Sequence, residues 1–270
     1  MFLVYICGLL AMTGQAADDI EKVSLPLAPD MYRADLYVWQ GIKNPQAVLV
    51  LSPGYNGSGE GLIRQSQWQE FARNNNLGLV GLSFASDSKL FHENRGYYYA
   101  SKGSGKVLLS GIRKIYKKDL PLLLYGFSGG AHFTSRFVEW KPERVITWCA
   151  YSAAWWDEPQ KTEAMPMGIV ACGDRDKRYG ASLMYFKQGR AAGKPWLWVS
   201  LAGIGHNHSD HLDEFVRKYF SAVLHNKSDG LSVDIDRKIE VTATQAGQIP
   251  SITGWIPDKN LLADWMRIHK

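Results

Sequence analysis

Cysteine is scarce in this 270-residue chain: there are three, Cys7, Cys149 and Cys172. So few exclude a disulfide-built scaffold. Glycine (26) and proline (11) stand at ordinary levels, which excludes collagen-like and low-complexity chains. Charge of one sign is never massed. Lys and Arg outnumber Asp and Glu by 31 to 26, but the basic residues are spread out, with only short groups such as Arg113, Lys114, Lys117 and Lys118. A nucleic-acid partner, which needs basic residues gathered on one face, is therefore not expected. Long apolar runs are missing as well. The one candidate, Phe2 to Met12, is shorter than the ~20 residues that span a bilayer. What is abundant is aromatic surface, with 10 Trp and 13 Tyr, enough to fill a large core and to line a ligand pocket.

The short apolar run precedes Thr13-Gly14-Gln15-Ala16-Ala17, and the first side-chain charge is Asp18. Small residues at Gly14 and Ala16 suit the positions before a signal-peptidase cut. Residues 1–16 are expected to be a cleaved leader, although no Lys or Arg precedes the apolar run; a buried first element is the alternative. The mature protein is then secreted or periplasmic, with no stable membrane insertion. Cys149 and Cys172 sit in apolar runs and read as small buried hydrophobes, with a disulfide between neighbouring strands as the alternative.

From about residue 30 to residue 224, apolar runs alternate with amphipathic segments. Strands are expected at 33–39, 47–52, 78–84, 121–125, 145–151, 167–172 and 196–202. Helices are expected at 61–75, 104–117, 130–139, 181–192 and 211–225. Continuous apolar runs fit strands buried on both faces, and strict alternation fits one α/β domain: a mainly parallel central sheet with helices on both faces. The chain from residue 17 to 270 is read as that single domain. Its C-terminal extension from about 226 carries alternating runs at 233–236 and 239–241, and an amphipathic helix at 260–269.

The segment Leu122-Leu123-Leu124-Tyr125 runs into Gly126-Phe127-Ser128-Gly129-Gly130 and then into a helix-like stretch. G-x-S-x-G between strand and helix is a nucleophile elbow: the turn is too tight for side chains two residues either side of the serine, and it lifts the hydroxyl to a helix N-terminus. On this motif the chain resembles the α/β-hydrolase superfamily over roughly 47–224. The resemblance implies the rest of a serine-hydrolase site. Ser52-Pro53-Gly54-Tyr55 resembles the loop that donates one oxyanion amide, with Pro53-Gly54 in place of the usual His-Gly. The two donors would be the backbone amides of Tyr55 and Gly129. The strand ending at Cys172 leads into Gly173-Asp174-Arg175-Asp176. The family's Gly-x-x-Asp turn, and the longer reach of the later residue along an extended exit, select Asp176 over Asp174 as the acid. Leu201-Ala202-Gly203-Ile204-Gly205-His206 resembles the loop that carries the base, naming His206, with the neighbouring His208 and His211 as alternatives. The implied reaction is ester hydrolysis by Ser128, His206 and Asp176, with no cofactor.

The loop between Tyr151 and Met167 is too short for a large folded lid, and an open site suits bulky or polymeric substrates. Trp155 and Trp156, with Tyr97 and Tyr98, lie past strand ends on the expected catalytic edge and are candidates for an aromatic substrate wall. At this level the chain resembles secreted esterases of the polyhydroxyalkanoate-depolymerase and feruloyl-esterase type. A prolyl-oligopeptidase-like peptidase on the same core is an alternative, and a non-catalytic polymer-binding protein is another. A third is a zinc hydrolase: His206-Asn207-His208-Ser209-Asp210-His211 spells a zinc-ligand pattern, but only His225 and His269 follow as further histidines. Sequons at Asn56, Asn207 and Asn226 would place glycans in two expected active-site loops, which favours a bacterial secreted protein.

Overall fold

In the computed structural model, residues 19–160, 165–225 and 229–270 are described. The expected leader, with Cys7, and the sequon at Asn226 lie outside them. The main sheet has eight strands in the order β1-β2-β4-β3-β5-β6-β7-β8. They are β1 (Ile20–Ser24), β2 (Arg33–Trp39), β3 (Ala47–Ser52), β4 (Leu77–Ala85), β5 (Leu122–Phe127), β6 (Val145–Tyr151), β7 (Met167–Gly173) and β8 (Trp196–Leu201). The pairs β1–β2 and β2–β4 are antiparallel, and every later pair is parallel.

Every residue of β3, β4, β5 and β8 is buried, so helices cover both faces, as the uninterrupted apolar runs require. Those helices are α1 (Glu60–Ile63), α2 (Ser66–Asn74), α3 (Ser104–Tyr116), α4 (Gly129–Trp140), α5 (Tyr179–Ala191) and α6 (Asp210–Leu224). The single helix expected over 61–75 is thus broken in two. Between β6 and β7 the described residues form neither helix nor strand, and no folded lid covers the sheet there. Cys149 and Cys172 are buried free thiols, not a disulfide.

The tail builds a three-stranded sheet from β9 (Leu231–Asp234), β10 (Ile239–Val241) and β11 (Thr253–Ile256), with α7 (Ala243–Gln248) and α8 (Leu262–Ile268). It docks on β8 by polar as well as apolar contacts. Trp265 Nε1 donates to Trp198 O and Ser200 N donates to His269 Nδ1, while His269 Nε2 meets Ile235 O within the tail itself.

Strand order places the chemistry. Chain direction along the sheet reverses at β3 and β5, which are paired side by side with Ser52 opposite Gly126. Loops leaving the C-terminal ends of these strands meet at the switch point, where open parallel sheets place their ligands. β7 and β8 end in register too, Gly173 opposite Leu201.

Candidate active site

Ser128 stands between β5 and α4 with φ 53° and ψ −110°, a conformation that costs a non-glycine residue about 1–3 kcal/mol. Its amide is tied to Tyr151 O at 2.8 Å, and its carbonyl accepts from Ala131 N at 3.0 Å. The flanking glycines leave no room for substitution. A Cβ on Gly126 would lie 2.2 Å from Gly130 O, and one on Gly130 would lie 2.2 Å from Ser52 O. Backbone packed on backbone cannot yield, so the elbow is locked by the absence of two side chains.

Ser128 Oγ is 2.9 Å from His206 Nε2, and His206 Nδ1 is 2.7 Å from Asp176 Oδ2. Elements far apart in sequence bring these groups into one line. The loop after β7 and the loop after β8 are stitched together by Asp174 N to Leu201 O and Arg175 N to Ile204 O, both 3.0 Å. Gly173 is needed at the seam, because a Cβ there would lie 2.2 Å from Ile204 O. The exit from β7 is not extended, as the reach argument supposed. Asp176 N bonds Gly173 O at 3.0 Å, and this turn carries Asp176 back toward His206. Asp174 instead accepts from Gly203 N at 2.7 Å and from Lys270 Nζ at 2.6 Å. The imidazole of His206 stacks on Phe127, with ring centroids 4.9 Å apart, and the next residue, Asn207, accepts through its carbonyl from the Tyr151 hydroxyl.

Burial by itself would raise the Asp176 carboxyl. Hydrogen bonds from His206 and from the amide and guanidinium of Arg178 outweigh it and hold the group below the ordinary aspartate value. An ionised acid at Oδ2 fixes the proton of His206 on Nδ1 and leaves Nε2 free to accept from Ser128.

The loop after β3 lies across the elbow. The point where Gly129 would carry a Cβ is 2.7 Å from Tyr55 N, so the Tyr55 and Gly129 peptides face each other beside Ser128. Among the described residues neither amide has a partner within the chain. The loop is held rigidly. Arg33 donates to Asn56 O and Gly57 O, and Asn56, at φ 51°, exchanges hydrogen bonds with both backbone groups of Ser86. Asn56 N donates to the Tyr97 hydroxyl at 3.2 Å.

The aromatic wall differs from the expectation. Tyr97 and Tyr98 are 3% and 4% exposed and form a layer behind the site instead of its surface. Gly96, at φ 86°, turns the triplet inward, and buried hydroxyls of Ser86 and Ser104 take up both backbone groups of Tyr97. Tyr98 stacks between Phe91 (3.8 Å) and His132 (4.6 Å), and His132 in turn meets Trp155 at 4.4 Å. Trp155 closes this column and stays 37% exposed. Trp156 turns away and stacks on Tyr185 at 4.3 Å. Of the four candidates, Trp155 alone offers an exposed ring, and the exposed Tyr55 ring at the column's other end was not foreseen as a surface.

The zinc pattern does not assemble. Both ring nitrogens of His206 are occupied by Ser128 and Asp176, His208 packs on Phe127 at 4.1 Å, and His211 lines a separate cavity with Leu201 and Ile268. Among the described residues no three His, Cys, Asp or Glu side chains converge to hold a metal. Sequence reasoning missed Arg178, whose guanidinium lies 3.1 Å from Asp176 Oδ1, and His132 with Arg136, which anchor Ala154 and Asp157 of the β6–β7 loop. A basic residue two positions after an acid is too common to signal such a role.

No protein-family model and no curated protein matches this sequence. Solved structures do. A ferulic acid esterase is similar at 12% identity and a TM-score of 0.56, over 77% of this chain and 100% of that one. A thermophilic and thermostable carboxylesterase, EstE1, cloned from a metagenomic library, is similar at 12% identity and a TM-score of 0.58, over 76% and 88%. The poly(3-hydroxybutyrate) depolymerase LpqC from Bordetella parapertussis is similar at 15% identity and a TM-score of 0.53, over 85% and 94%. At these identities the likeness is one of fold.

Proposed function

We propose that this chain, which has the α/β-hydrolase fold, is a serine hydrolase that cleaves carboxylic esters through an acyl-enzyme on Ser128. One observation carries the reading: the unbroken line from Ser128 Oγ through His206 to Asp176, with links of 2.9 and 2.7 Å. In this reading His206 Nε2 takes the hydroxyl proton as Ser128 Oγ bonds the ester carbonyl carbon. The carbonyl oxygen becomes an anion between the Tyr55 and Gly129 amides, at the N-terminus of α4, where the helix dipole favours it. His206 returns the proton to the departing alkoxide. A water then repeats the sequence, releasing the acid and restoring Ser128. Asp176 stays ionised throughout and stabilises the imidazolium.

The exposed rings of Trp155 and Tyr55 suit an aromatic or extended acyl group. That a ferulic acid esterase, a carboxylesterase and a poly(3-hydroxybutyrate) depolymerase have similar structures agrees with an ester substrate, small or polymeric. Residues 1–16 serve as a leader to a secreted or periplasmic destination, and mass measurement of the mature N-terminus checks this. A Ser128→Ala variant is expected to lose p-nitrophenyl-ester turnover and fluorophosphonate labelling together. Retention of either at the wild-type level overturns the proposal.

A further inference from the structure

We propose that Arg178 is a positioning residue for the same site: it grips the oxygen of Asp176 that His206 leaves free, and its charge opposes the imidazolium form of His206, which cannot accept from Ser128. The inference rests on the serine-hydrolase reading. Asp176 has two oxygens with separate duties. Oδ2 meets His206 Nδ1 at 2.7 Å, while Oδ1 accepts from Arg178 N at 3.0 Å and from Arg178 Nη1 at 3.1 Å. The carboxylate side chain is 1% exposed and that of Arg178 is 32% exposed, so the arginine is the solvent-side cover of a buried acid. A two-point grip on one oxygen fixes the plane of the carboxylate, and with it the tilt of the imidazole on the other.

The charge acts in a second way. A guanidinium beside Asp176 offsets part of the attraction that would otherwise stabilise the imidazolium form of His206. Removing that charge is therefore expected to favour the imidazolium, the form that cannot accept from Ser128.

Other groups around the pair do not supply this charge in the same place. In the same loop, Asp174 is paired with Lys270, and Arg175 acts on Asp174. From the end of β7 comes the Cys172 thiol, pushed up to about 11 by burial, and from the end of β6 the Tyr151 hydroxyl, raised by burial. Both are neutral at working pH. From the loop after β8 comes His208, which burial and His206 push down, with Asp210 opposing. Arg178 is the cation in direct contact with the acid.

The test is the pH dependence of fluorophosphonate labelling of the whole protein, which needs no knowledge of the substrate. Arg178→Gln removes the charge and keeps the backbone bond to Oδ1. Its acid limb is expected to move up by roughly half a pH unit, a modest shift because the guanidinium is partly solvated and screened. Labelling below the limb then falls about threefold relative to the plateau. Arg178→Lys is expected to return the limb to the wild-type position. A limb that stays put in Arg178→Gln, including one with a lowered plateau, marks a merely structural arginine and overturns the inference alone. A wild-type protein that does not label at any pH overturns the hydrolase reading and this inference with it.

Discussion

Asp213 tests how the core tolerates a buried acid that the proposed chemistry does not use. It lies in the first turn of α6, 6% exposed, beside the buried Tyr125 hydroxyl, and among the described residues neither that hydroxyl nor Asp213 Oδ1 makes a hydrogen bond of good geometry. Burial raises its carboxyl from 3.8 to about 6, against the opposing pull of the Tyr125 hydroxyl and Arg217. A folded-state value above the unfolded one means that the folded protein prefers the neutral acid. The associated stability is full below about pH 4 and is lost as pH rises through about 6. Two units correspond to about 3 kcal/mol. Asp213→Asn copies the shape of the neutral acid and removes the ionisation. It also strips Arg217, which lies 5.0 Å from the Trp68 ring, of a nearby anion, and it removes an anion favoured by the helix dipole. The net gain at pH 8 is therefore about 2 kcal/mol, which at this size raises Tm by roughly 4–8 °C. At pH 4.5 wild type and variant should melt within a degree or two of each other. Thermal melts followed by circular dichroism at the two pH values decide it. Equal Tm differences at both pH values, or destabilisation at pH 8, would show that the buried charge of Asp213 does not weaken the fold.

Two further predictions concern the site. Asp176→Asn should leave the fold intact and lower ester turnover by about 10⁴-fold, through the wrong tautomer of His206. Asp174→Asn breaks the contacts to Lys270 and Gly203 and should lower Tm with turnover nearly unchanged; steady-state kinetics on both variants would expose a reversed assignment. Trp155→Ala removes the exposed end of the aromatic column, and it should raise KM for aryl esters by roughly 5–20-fold while leaving acetyl-ester kcat alone. Equal effects on both esters would show that the ring only packs.

Much of the fold is legible in the chain because burial on both faces demands uninterrupted apolar runs. The stretches at Ala47–Ser52 and Val145–Tyr151 end in the structure where the apolar pattern ends in the sequence. The elbow is legible for a related reason: Gly126 and Gly130 are required by backbone contact that no other residue permits. Edges are harder. The strand Ile20–Ser24 has a single buried residue and carries little apolar signal, since its partner β2 and not its own composition makes it a strand. Directions are harder still. Whether Tyr97 and Tyr98 face a substrate or the interior depends on the turn at Gly96 and on hydroxyls supplied by Ser86 and Ser104. Which aspartate meets His206 depends on the turn from Gly173 to Asp176, and what holds that aspartate depends on the path of the Arg178 side chain. Local sequence determines which residue types stand at a strand end, because backbone sterics and burial act over a few positions. Which of them touch is decided by loops from distant parts of the chain, whose hydrogen bonds exist only once the sheet has brought them side by side.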